Sequence, residues 1–182
     1  MRVVFINQIC ENMKQISEYL NCGLQIIQPS VWKRYYELRL KDETIGTMQL
    51  SGLFDQRAII KYEKESYEIY KDSFWKKEIL IRKEGFELPI ANYEDKLFSQ
   101  TGTVKLNGGH SVRIKFYAFK SKYEIISEKE DLLVSFKNRV SFKHQTDVII
   151  VKESELIDKN PWLIFLTEIL KLQRGHAAAA AA

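Results

Sequence analysis

The chain has 182 residues, 45% hydrophobic and 29% charged, with a formal net charge of +4. This composition excludes a disordered or fibrous chain, and the length supports a core that needs no disulfide or metal staple. No apolar run reaches the roughly 18 residues of a membrane-crossing helix, so an ordinary span is excluded.

The chain opens with Met1-Arg2-Val3-Val4-Phe5-Ile6, where residues 3–6 read as a short strand. Asn7, Gln8, Glu11 and Asn12 interrupt the apolar stretch too soon for a signal peptide. Ile6, Ile9, Cys10, Met13, Ile16 and Leu20 then recur at spacings of three and four, which predicts one face of an amphipathic helix ending near Gly23. Leu24, Ile26 and Ile27 lead to a boundary at Pro29-Ser30, so 1–30 is read as an N-terminal strand-helix extension. Cys10 and Cys22 are the two cysteines. They have no CxxC or Cys/His pattern around them, so zinc is not expected, and a bridge between them is left open. The expectation is a reduced, cytoplasmic protein.

From Val31 the period changes to two. Trp32, Tyr36, Leu38 and Leu40 alternate with Lys33, Tyr35, Glu37 and Arg39. The alternation continues over 44–50 and 58–63, with short segments around 66–71, 75–82 and 86–93. Gly102, Val104 and Leu106 alternate before Asn107-Gly108-Gly109, a strong hairpin signal because a tight primed turn needs positive φ. Val112, Ile114 and Phe116 alternate after it, and 122–127, 130–137, 139–143 and 146–152 follow. About twelve strands at this spacing, with no long helix between them, predict an antiparallel barrel or sandwich.

The last element differs. Asn160-Pro161 reads as an N-cap and first position of a helix. Eight of the eleven residues from Trp162 to Leu172 are large and apolar. The run Trp162-Leu163-Ile164-Phe165-Leu166 points in every direction around the axis, so this helix must be surrounded. Its thirteen residues span about 20 Å, the length of a six-residue strand, so it can thread a closed barrel too wide for strand side chains to fill. A lipocalin-like cup is the rival fold, but there the terminal helix packs outside and is amphipathic. Gly175-His176 and the six alanines after it, residues 175–182, read as a tag or unassigned tail.

These features resemble the tubby C-terminal-like barrel superfamily, which includes phospholipid scramblases, LURP-one-related proteins and small bacterial homologues. The resemblance covers about 31–174. It is carried by Trp32-Lys33-Arg34-Tyr35-Tyr36-Glu37-Leu38, by Gly102 to Gly109 with Arg113-Ile114-Lys115-Phe116, and by Asn160 to Leu166. It implies a closed barrel of about twelve antiparallel strands around a C-terminal apolar helix. Tubby domains bind phosphoinositides through Lys and Arg on neighbouring strands, and scramblase-like members associate with membranes. No residue-by-residue match to the tubby lipid site is present, so the resemblance implies a fold more than a function.

Charge supplies the candidate site. Residues 96–152 carry 11 basic and 5 acidic side chains, while the remainder of the chain is close to balanced. Such asymmetry points to an anionic partner, against the plainer reading of a solvated barrel exterior kept soluble by lysines. Arg113 and Lys115 share one face of a strand, with Lys105 across the preceding hairpin. Lys120, Lys122, Lys137, Arg139 and Lys143 follow, with Tyr117 and Phe119 interleaved. Lys105, Arg113, Lys115, Lys137 and Arg139 are therefore the predicted ligand-binding set. The expected ligand is an anionic lipid or other phosphorylated group. Nucleic acid, a metal, a cofactor and a transmembrane position are not expected. His110 and His144 stand alone, and GxSxG, HExxH, GxxxxGK[ST] and GxGxxG are all missing, so no catalytic residue is assigned. The favoured reading is a non-enzymatic binding module. The alternatives are a protein–protein interaction or regulatory module using 1–30, and an enzyme whose pocket the linear sequence does not reveal.

Overall fold

The computed structural model describes residues 15–52, 57–72, 78–95, 100–117, 122–139 and 144–180. The strand proposed over 3–6, most of the amphipathic helix, Cys10, Lys120 and Lys143 lie outside them. Among the described residues a 3₁₀ turn, Ile16–Tyr19, precedes twelve strands: β1 Leu24–Ile27, β2 Tyr35–Leu40, β3 Glu43–Ser51, β4 Arg57–Tyr62, β5 Glu65–Tyr70, β6 Ile79–Lys83, β7 Ala91–Asp95, β8 Thr101–Leu106, β9 Ser111–Tyr117, β10 Lys122–Ser127, β11 Leu132–Asn138 and β12 Gln145–Ile150. Two helices follow, α1 Glu155–Lys159 and α2 Trp162–Ala180. Every strand pairs antiparallel with its sequence neighbours, and β1 pairs with β12 to close the barrel. Closure removes both sheet edges.

The period-two pattern becomes an inside and an outside. Tyr36, Leu38 and Leu40 of β2, Ala58, Ile60 and Tyr62 of β4, and Val112, Ile114 and Phe116 of β9 are all buried. They meet α2, which runs along the lumen. Trp162, Leu163, Ile164, Phe165 and Leu166 are each 0% exposed. A helix apolar on all sides has no wet flank, and here it needs none. Gly46 of β3 leaves room for it: a Cβ there would lie 3.1 Å from the Phe165 ring.

The two ends of the barrel differ. At the closed end, where α2 enters, β2–β3 and β4–β5 are joined by two-residue turns with Lys41 and Glu63 at positive φ. The Asn107-Gly108-Gly109 hairpin is also here, and both glycines adopt positive φ, as a tight turn requires. The 3₁₀ turn caps this end. Its Ser17 N–H donates to Asp158 of α1 at 2.7 Å, and Ile16 and Tyr19 are buried. At the opposite end, the mouth, α2 emerges. There Arg174 holds both carboxylate oxygens of Asp95 at 3.0 Å and lies 3.6 Å from the centroid of the Phe116 ring.

Four details differ from the sequence reading. Leu24–Ile27, placed in the extension, is the strand that closes the barrel. Its register, Leu24 against Val148 on one side and Leu40 on the other, is set by distant partners that a four-residue run cannot announce. β11 ends at Asn138 and Arg139 lies beyond it, while the rest of the segment expected over 139–143 lies outside the described residues. Trp32 is not on a strand, because β2 begins only at Tyr35. Asn160 closes α1 rather than capping α2 with its side chain, since its Nδ2 donates to the Leu156 carbonyl at 2.9 Å. No helix among the described residues is long and apolar enough to cross a membrane.

Candidate functional site

The outward residues near the mouth form a row across five strands. Tyr117 faces Lys122, Lys122 faces Lys137, Lys137 faces Asp147, and Asp147 faces Gln25. The charges in this row are unequally paired. Lys122 lies 2.5 Å from Glu124 and 5.9 Å from the centroid of the Tyr117 ring. Asp147 is occupied by Arg139 at 2.7 Å and by the Gln25 amide at 3.1 Å. Lys137 is exposed and has no carboxylate partner among the described residues.

Glu124 anchors this corner. Burial alone would raise its pKa, but hydrogen bonds from Lys122 and from the Tyr117 hydroxyl outweigh burial and lower it. The hydroxyl donates at 2.8 Å, and this bond to a carboxylate in turn raises the tyrosine pKa. Glu124 therefore stays ionised at neutral pH and fixes both Lys122 and Tyr117.

The five predicted residues divide into two groups. Lys137 and Arg139 join Lys122 near the mouth. Lys115 is the next outward residue along β9 from Tyr117, 3.6 Å from Glu130. Arg113 also pairs with Glu130, and Lys105 pairs with Glu94 at 2.7 Å. Both carboxylates have lowered pKa values, chiefly through these hydrogen bonds. Lys105 and Arg113 thus lie toward the closed end with partners of their own. Lys122 was visible in the sequence, but its place opposite Lys137 depends on register.

A second cluster lies inside, where α2 approaches the mouth. Glu168 is 0% exposed and Lys171 6%. The Lys171 ammonium is 2.6 Å from Glu168 Oε1 and also donates to the buried Thr146 hydroxyl. His144 Nε2 reaches the same carboxylate oxygen at 2.5 Å, and its ring meets Tyr36 edge-on at 5.5 Å between centroids. Burial would raise the Glu168 pKa, but the His144 hydrogen bond and the Lys171 charge reverse that and lower it. Burial lowers the Lys171 pKa, while Glu168 acts in the opposite sense. Sequence reasoning missed this cluster because Glu168 and Lys171 look like surface residues on a short helix and His144 like an isolated turn residue. Its members bond to one another, so it fastens α2 to the start of β12.

His110 is exposed and lines a pocket of about 580 Å³ at the closed end, with Ile90, Leu106 and Leu156 forming its apolar side. The described residues contain no His/Cys/Asp/Glu group suited to a metal ion. No family model, curated protein or solved structure matches the chain.

Proposed function

We propose that the barrel is a non-enzymatic binding module for a phosphate-bearing anion. Lys122, Lys137 and Arg139 form the centre of its site, with Lys115 the next cation along β9, while Arg113 and Lys105 form a second, carboxylate-paired group toward the closed end. The observation that carries this reading is the direct opposition of Lys122 and Lys137 on neighbouring strands. Like charges directly across a ladder are unfavourable. Lys137 also lacks a carboxylate partner among the described residues, and Arg139, paired with Asp147, brings its guanidinium to the same edge. A multiply charged oxyanion would relieve this repulsion and take hydrogen bonds from both ammonium groups and from the guanidinium fork.

Calorimetric titration with inorganic pyrophosphate tests the reading. Binding should weaken with added salt, since the site is exposed and screened. Lys122→Glu with Lys137→Glu should abolish it, whereas Lys61→Glu on the outer face of β4 should leave it intact. Absence of pyrophosphate binding, or binding unchanged in the double variant, would overturn it.

A further inference from the structure

The geometry points to the mouth of the barrel as a docking surface for an anionic bilayer, with Trp32 as the residue that enters the headgroup region. This deepens the reading above and rests on it. Trp32 is 92% exposed and its neighbour Val31 52%. A tryptophan left almost wholly in water is unusual, and here it is held there by a built turn. The Lys33 N–H donates to the Ser30 carbonyl at 3.1 Å, which places Val31 and Trp32 at the two corners. The Gln28 amide then donates to the Lys33 carbonyl at 2.9 Å and ties the turn to its own base. Lys33 and Arg34 follow directly, and Arg34 is tethered to the Gly52 carbonyl at 2.7 Å.

This turn and the basic row share one rim. The turn joins β1 to β2 at the mouth. The Gln28 N–H donates to the His144 carbonyl at 3.1 Å, and the Arg139 N–H to the Gln145 carbonyl at 3.0 Å. Arg139 therefore sits about two strand spacings from the end of β1, roughly 10 Å, and Lys122 about three spacings, roughly 14 Å. An aromatic at the tip, cations beside it and a row of cations behind it match the layers of an anionic membrane surface. The ring suits the interface between headgroups and acyl chains, and the lysines and arginines suit the headgroup phosphates. A soluble phosphorylated ligand would give Trp32 no contact, so the exposed turn favours the lipid source of phosphate.

Sedimentation with phosphatidylcholine vesicles, with and without phosphatidylserine, tests this. Binding should require phosphatidylserine. Trp32→Ala should weaken vesicle binding about tenfold while leaving pyrophosphate titration unchanged. Lys122→Glu with Lys137→Glu should reduce both. Acyl-brominated phosphatidylserine vesicles should quench the wild-type tryptophan emission more than that of Trp32→Phe. Pyrophosphate binding without vesicle binding would overturn the membrane inference and leave the anion-binding reading standing. Vesicle binding and quenching unaffected by the Trp32 variants would also overturn it. Failure of both ligands would remove the two readings together.

Discussion

Glu168 and Lys171 stand three residues apart on α2 and form a 2.6 Å ion pair inside the barrel. The pair sits midway along α2, beyond the apolar run Trp162–Leu166, and bonds to Thr146 of β12 and to His144 just before it. A buried pair of this kind contributes little net stability but strongly penalises wrong arrangements. Its bonds to Thr146 and His144 tie α2 to the start of β12.

That role makes a separable prediction. Lys171→Met alone should cost about 3–5 kcal/mol, because it removes the buried ammonium beside Glu168 and leaves that carboxylate with the His144 hydrogen bond. Combining it with Glu168→Leu should recover most of that loss. Urea unfolding of the two single variants and the double variant checks the non-additivity.

Acid sensitivity follows from Glu68, a 3% exposed carboxylate on β5 bonded by Arg57 and by Arg82, the latter at 2.7 Å. Burial would raise its pKa, but the two arginines outweigh burial and place it below the ordinary 4.5. A lowered folded-state pKa stabilises above the unfolded value and is lost as pH falls through the folded one. The urea midpoint should therefore drop between about pH 5 and pH 3, and Glu68→Gln should show a shallower decline over that window.

Gly102 on β8 lies beneath the Tyr93 ring of β7, and a Cβ at Gly102 would fall 2.1 Å from the tyrosine oxygen. Gly102→Ala should destabilise by about 1–3 kcal/mol through overpacking. The same substitution should cost less in a Tyr93→Leu background, where the blocking ring is gone. Thermal or urea denaturation of the cycle measures the coupling.

The helix core gives the sharpest contrast. Leu163→Ala should cost about 2–5 kcal/mol and still fold, since it removes only buried methyl groups. Phe165→Asp should yield no soluble folded protein, since it places a carboxylate at a position that is 0% exposed within the apolar run. A well-folded Phe165→Asp would contradict the enclosed position of α2.

The fold was legible where one physical rule dominated. Val112, Ile114 and Phe116 alternate because one side of β9 faces the lumen, and the unbroken Trp162–Leu166 run has meaning only if something surrounds it. β1 was not legible because Leu24–Ile27 is too short for periodicity, and its strand identity comes from β12, far along the chain. Trp32 misled because it continues an alternating pattern past the true start of β2. At the site, the basic composition of 96–152 pointed to the strands that carry Lys122 and Lys137. The opposition of Lys122 to Lys137, and the separate pairing of Arg113 with Glu130, depend on register and rotamers that composition does not encode.

The order of elements has a consequence for biosynthesis. All twelve staves leave the ribosome before the segment that fills them, and the seam between Leu24 and Val148 joins residues roughly 120 positions apart. Hairpins can zip locally as they emerge, because each pairs with its immediate neighbour. Closure around an empty lumen would leave the inward faces of Leu38, Ile60 and Val112 unsupported. Closure of the barrel in its native form therefore requires Trp162–Leu170, which is translated after the last strand.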